Sequence, residues 1–206
     1  TPGVTQLTTG PAISKPIIRG LGYNRVVVLN DGVKQEGQQW GDEHGIEIDE
    51  FGVERVEIVK GPGSLVYGSD GLAGVINFIS PSTISNGGSE INYNANYQTN
   101  NQLFSNSVSS AGTKHDFSWN LRATDKFARD YKNATDGSVY NSGFEEEDYA
   151  AMLGINKRWG YSRLSISNFD QKVGLVEGER DSIGGFIKNT LNRINLPFQR
   201  ITHQKI

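Results

Sequence analysis

The sequence lacks cysteine altogether, which excludes disulfides, thiolate metal ligands and thiol catalysis. It also lacks an excess of basic residues: the formal net charge is −3, whereas a nucleic-acid-binding surface is usually basic. Long apolar runs are missing too, because runs such as 26–29 fall far short of the ~18 residues that a membrane helix needs. Alternating strands of roughly 10 residues, which cross membranes as β-barrels, remain compatible with this composition.

The chain begins without an initiator methionine or a signal peptide, and its last residues lie in a strand-like stretch. We therefore expect it to be a piece of a longer protein.

Short runs rich in valine and isoleucine, each ended by a turn signal, make up residues 1–81. The sequence Asn30-Asp31-Gly32 predicts a tight turn between two strands. Residues 48–53 and 68–72 predict short helical turns, and the nearly apolar run 73–79 predicts a buried strand. We therefore predict that 1–81 is an α+β domain with a small mixed β-sheet and short helices.

Apolar and polar residues alternate strictly in much of the chain from residue 82 onward. The pattern is clearest in 91–97 and 117–123, and it predicts strands with one apolar and one polar face. Short connectors at 111–113 and 159–161 alternate with a longer polar connector at 129–146, an arrangement typical of an outer-membrane barrel. A soluble β-sandwich alternates in the same way, so the pattern alone leaves both architectures open.

Several motifs of the first part occur in a recognisable order. They are Ile18-Arg19-Gly20, the VVVLNDG segment at 26–32, the VERVEIVKGP segment at 53–62, and the YG and AGVINFI segments that end at residue 79. Together they resemble the later part of the plug domain of TonB-dependent outer-membrane receptors. The resemblance implies that residues 1–81 are a partial plug domain, and that 82–206 are the antiparallel N-terminal strands of an incomplete transmembrane β-barrel.

The resemblance also implies a function. Members of this family sit in the bacterial outer membrane, contact its lipid, and take up a scarce ligand; they are not enzymes. Energy comes from the inner-membrane protein TonB, which grips a segment that would precede Thr1. No tightly bound cofactor is expected, and the cargo would be a ferric siderophore, heme or a metal ion such as zinc. The alternative is a soluble secreted or surface β-rich binding module.

The same resemblance implies a role for charged residues of the plug motifs. The arginine of the IRG motif and the basic residue before Gly-Pro face glutamates of the barrel wall, and these positions are Arg19 and Lys60. Glu57, in the same predicted strand as Lys60, is assigned to this plug–barrel contact as well. The family commonly has arginine where Lys60 stands, and lysine keeps the charge but loses the bidentate fork.

The segment 35–45, between two predicted strands, carries the candidate ligand-binding residues Trp40, Glu43 and His44. The Glu43-His44 pair resembles the metal-uptake branch of the family, and carboxylate with imidazole is an ordinary zinc donor set. Heme is a second possibility, since imidazole can ligate its iron and Trp40 could pack on the porphyrin. Two alternatives remain. A ferric siderophore could be bound without His44, and the segment could also be a solvated acidic loop that binds no ligand.

Overall fold

The fold is that of a computed structural model, which describes residues 1–39, 41–42, 44–84 and 87–176, together with the backbone of 193–195 and 201–205. The chain divides into two compact units, Thr1–Ser82 and Thr83–Ile206. In the described part, no helix is long and apolar enough to span a membrane.

The first unit consists of a β-hairpin and a four-stranded mixed sheet joined by short 3-10 helices, which confirms the predicted α+β class. In the sheet the order is β4-β3-β6-β5; β3 runs parallel to β6, and the other pairs are antiparallel. The strands are β1 (Val4–Gly10), β2 (Ile13–Ile18), β3 (Val26–Asn30), β4 (Val33–Gln35), β5 (Arg55–Val59) and β6 (Gly74–Ile79). The 3-10 helices span Tyr23–Arg25, Gly37–Gln39, Glu50–Gly52, Pro62–Tyr67 and Ser69–Leu72.

The sheet is organised around β3, whose residues Val26, Val27 and Val28 are fully buried. Asp31 and Gly32 make the turn that follows, with φ of 49° and 83°, as a two-residue hairpin between twisted strands requires. The Asp31 carboxylate also accepts a hydrogen bond from the Ser80 backbone N–H at 2.8 Å. The predicted turn therefore also fixes the backbone at Ser80, close to the end of the first unit.

The second unit is mainly a seven-stranded antiparallel sheet, in which β14-β13-β12-β9-β8-β7 are neighbours in that order and β15 also pairs with β13. A small hairpin, β10–β11, rises from the loop between β9 and β12. The strands are β7 (Ser89–Gln98), β8 (Leu103–Lys114), β9 (Phe117–Ala128), β10 (Lys132–Asn133), β11 (Gly137–Ser138), β12 (Phe144–Lys157), β13 (Gly160–Gly174), β14 (Arg193–Asn195) and β15 (Ile201–Lys205).

The connector predicted at 111–113 is wrong, because these residues continue β8 up to Lys114. The turn comes later, at His115 and Asp116, where His115 has a φ of 56°. Gly112 stays in the strand because it lies opposite Trp119 of β9, whose indole fills the space a side chain would need. The glycine marks a close side-chain approach rather than the end of a strand.

The two faces of this sheet differ in polarity and exposure. We call the face that carries Leu121, Tyr149, Leu153 and Phe127 the outer face; these large side chains are 43–54% exposed. The inner face carries polar side chains instead, and many of them are buried: Ser105, Ser107, Thr124, Lys126, Glu146, Asp148 and Gln171. Exposed apolar and buried polar side chains invert the pattern of a soluble sheet, and they fit a wall with lipid on the outer side.

Candidate functional site

The segment 36–49 follows β4 and lies against the β1–β2 hairpin. Its main support is Lys15 of β2, whose side chain is only 1% exposed. The Lys15 ammonium group donates a hydrogen bond to the backbone carbonyl of Gly41. The same group lies 4.6 Å from the centre of the Tyr23 ring, within the range of a cation–π contact. A buried lysine thus fixes the position of the middle of this segment.

Asp42 forms the second attachment. Its carboxylate accepts a hydrogen bond of 2.6 Å from the Tyr23 hydroxyl, and its backbone carbonyl accepts one of 2.8 Å from the Thr9 hydroxyl. The hydrogen bond to Asp42 raises the pKa of Tyr23, because the ionised phenol could no longer donate it. Further along, the Ile46 N–H donates to the Ser14 carbonyl at 3.2 Å. Both strands of the hairpin therefore hold the segment.

Glu47, near the end of the segment, packs against Gly37 near its beginning. Its carboxyl group occupies the space where a side chain on Gly37 would lie, with a separation of 2.5 Å from that Cβ position. Burial raises the pKa of Glu47 above its ordinary value, because desolvation disfavours the charged form. Ionisation of Glu47 therefore destabilises the folded 36–49 segment.

Of the three predicted ligand-binding residues, only His44 belongs to the described part of the chain; Trp40 and Glu43 lie outside it. His44 is half-buried, directly after the attachment at Asp42, and it already interacts with a neighbouring group. The described residues contain no group of three or more histidine, aspartate or glutamate side chains able to hold a metal ion together. Metal binding by Glu43 and His44 stays a prediction.

Arg19 and Lys60, predicted to contact a barrel wall, lie around one short stretch of backbone. The Lys60 ammonium group donates to the Pro2 carbonyl at 2.9 Å, and the Arg19 backbone N–H donates to the Gly3 carbonyl at 2.8 Å. The Arg19 side chain is exposed, and Glu57 forms an exposed ion pair of 3.0 Å with Arg55. The role of the three residues at a barrel wall stays a prediction.

Sequence reasoning missed Lys15, Tyr23 and Thr9 as residues that hold the 36–49 segment. A weak signal existed for Lys15, since it stands two residues after Ile13 in β2, and alternate residues of a strand share a face. A charged residue on the same strand face as a fully buried isoleucine needs a partner. Nothing in the sequence indicated that the partner would be a carbonyl of a distant loop.

Comparison with known proteins identifies the family that the first unit matches. Residues 1–75 match the family model described as the TonB-dependent Receptor Plug Domain. The vitamin B12 transporter BtuB of Vibrio vulnificus is 44% identical over 78 residues, 38% of this chain and 13% of the relative. A hemin receptor of Yersinia enterocolitica is 40% identical over 78 residues, 37% of this chain and 11% of the relative. These matched regions thus span a small part of the relatives' length.

Solved structures extend the likeness beyond the plug. The copper transporter OprC superposes with a TM-score of 0.74 and 18% identity, covering 85% of this chain and 27% of that one. The FrpB iron transporter of Neisseria meningitidis superposes with a TM-score of 0.68 and 18% identity, covering 84% of this chain and 28% of that one. These likenesses show the fold, and none of the relatives described is an enzyme. Residues 1–75 therefore match the plug domain of TonB-dependent receptors, and the strands that follow have the fold of the matching part of the two transporters named above.

Proposed function

We propose that this chain forms the plug and the first barrel strands of a receptor that takes up a scarce metal-bearing ligand: a ferric siderophore, heme or a metal ion such as zinc. The relatives named above are a hemin receptor, an iron transporter, a copper transporter and a vitamin B12 transporter, which supports a cargo of this kind. TonB would supply the energy, as the family name implies.

The observation that carries the proposal is the attachment of the 36–49 segment to the hairpin. A loop that binds a ligand needs side chains in fixed positions, since a disordered loop loses binding free energy when it orders. Lys15, Tyr23 and Thr9 fix Gly41 and Asp42, and His44 follows two residues later. His44 is the residue we propose to contact the cargo.

The test is uptake by cells that produce the full-length receptor with His44→Ala. We expect uptake of one of zinc, heme or ferric siderophore to fall by about tenfold or more, the order of effect seen when a metal site loses a supporting group. His115→Ala, an exposed histidine in a strand turn, is the matched control. A variant present in the outer membrane at the wild-type level that takes up all three cargoes normally would exclude the contact at His44.

TonB dependence is measured separately, with the unsubstituted receptor in cells with and without TonB. Uptake that continues unchanged without TonB would contradict the transport mechanism itself, whichever residue contacts the cargo.

A further inference from the structure

A cleft of about 480 Å³ opens at the end of the second unit where the β7–β8 turn meets the β9–β12 loop. Phe127, Glu145 and Lys172 line it, and they form one row across β9, β12 and β13. That row belongs to the outer face, because Phe127 and Leu121 lie an even number of residues apart on β9. The cleft therefore lies on the outer face of the sheet.

Three cationic side chains surround this cleft: Arg129, Lys132 and Lys172. Lys172 is 3.8 Å from Glu145, in a loose and half-exposed ion pair. Arg129 and Lys132 are exposed, and within the described residues neither forms an ion pair. The Asp130 carboxylate is directed to the loop backbone, where it accepts hydrogen bonds from Ser142 and Gly143 at 2.8 and 3.0 Å. The rim of the cleft thus has cationic groups available for an anion.

Carboxylates stand on the other side of the cleft. The next row of the outer face carries Asp125, Glu147 and Asp170 in register on β9, β12 and β13. Their negative charge repels an anion from that row, so a bound anionic group is confined to the side formed by Arg129 and Lys132.

The loop that carries the cations is held by a set of hydrogen bonds. The Asn100 side chain binds both backbone groups of Lys132, donating to its carbonyl at 3.0 Å and accepting from its N–H at 2.7 Å. The Arg129 N–H donates to the Asn101 carbonyl at 2.8 Å, and the Tyr131 N–H donates to the Ser142 hydroxyl at 3.0 Å. Because the backbone is already ordered, a ligand meets the cations without the cost of ordering their loop.

Aromatic side chains lie beside the cations on the same face. Phe127 lines the cleft, and Phe104 and Tyr97 continue its row across β8 and β7; all three are 45–59% exposed. Aromatic residues concentrate where the hydrocarbon of a membrane meets its headgroups. This surface therefore combines anion-binding groups with an adjacent surface for hydrocarbon.

We propose that this cleft binds a phosphorylated glycolipid of the outer leaflet, with its phosphate on Arg129 and Lys132 and its acyl chains along Phe127, Phe104 and Tyr97. A guanidinium binds two phosphate oxygens at once, and a lysine adds a compact positive charge. A free phosphate ion would gain only the charged part of this surface, whereas a lipid occupies both parts.

The experiment is native mass spectrometry of the purified full-length receptor titrated with rough-type lipopolysaccharide. We expect the wild type to bind one glycolipid, and Arg129→Ala/Lys132→Ala to bind it about a hundredfold more weakly, since each of the two charged hydrogen bonds is worth about a factor of ten or more. The matched control is Lys114→Ala/Arg158→Ala, which removes the same two residue types from the opposite ends of the strands. The control should bind like the wild type.

Two further arms identify what is recognised. Dephosphorylated lipid A should bind the wild type weakly, and inorganic phosphate should compete poorly with the intact glycolipid. Arg129→Lys, which keeps the charge and loses the fork, should give intermediate binding. Equal binding by the wild type and Arg129→Ala/Lys132→Ala, or equal binding of dephosphorylated lipid A, would overturn the proposal. None of these measurements depends on uptake, so a failed transport mechanism leaves the result interpretable.

Discussion

Replacing Lys15 with methionine tests how the 36–49 segment is held. Methionine fills a similar volume but cannot donate to the Gly41 carbonyl or interact as a cation with the Tyr23 ring. A hydrogen bond from a charged donor contributes about 1.5–3 kcal/mol, and a cation–π contact adds about 0.5–1 kcal/mol. Part of this is offset because methionine avoids the desolvation of a buried ammonium group. We therefore expect the attached state to lose about 2 kcal/mol, which is roughly a thirtyfold change in its opening equilibrium.

The assay is hydrogen–deuterium exchange of the full-length receptor, followed in peptides that cover residues 36–47. Backbone N–H groups such as those of Gln39 and Ile46 donate hydrogen bonds in this segment, so their exchange reports its opening. Lys60→Met is the matched control: it also removes a hydrogen bond from a lysine to a backbone carbonyl, but at Pro2. Unchanged exchange in Lys15→Met, or equal acceleration in both variants, would refute the assignment of Lys15 as the support.

Two further substitutions test other buried charges. Burial raises the pKa of Glu47, so its stabilising neutral form is fully populated below the ordinary value of 4.5 and is lost as the pH rises through the raised pKa. Glu47→Gln should therefore slow exchange of the 36–49 segment at pH 7, with the difference from wild type shrinking toward pH 4; a difference independent of pH would contradict this. Lys126→Met leaves Glu146 buried without its cation and should cost about 3–5 kcal/mol in thermal or denaturant unfolding. Lys126→Met/Glu146→Leu should recover much of that loss, and a double variant as unstable as the single one would disprove the pairing.

The parts of the fold that follow from local patterns were predictable from the sequence. The Asp31-Gly32 turn needs positive φ at both positions, and an Asp-Gly pair supplies it. The alternation around Leu121 defines the two faces of β9, and the structure confirms them. Gly112 misled the prediction, because glycine ends strands and also admits large neighbours. Only the register that places Trp119 opposite Gly112 distinguishes these roles.

The candidate site was less predictable because its contacts join distant parts of the chain. Lys15 and Gly41 are 26 residues apart, and Thr9 and Asp42 are 33 apart. Each depends on how the hairpin packs on the loop, which no local pattern encodes. The cleft on the outer face is similar, since Asn100 orders Lys132 across 32 residues. His44 was visible as a residue type, but its surroundings were not.

The hairpin of the first unit has a mechanical consequence. Within the part of the chain that the structure describes, strand β1 pairs only with β2, and the pair nearest residue 1 is Val4 with Ile18. A force applied to the chain before Val4 acts at the open end of the hairpin, so the hydrogen bonds break one after another rather than together. Separation would begin beside Pro2, where Lys60 is attached, and would reach Thr9 and its bond to Asp42 last. The four-stranded sheet contains no residue of β1, so the 36–49 segment could be released while that sheet stays folded.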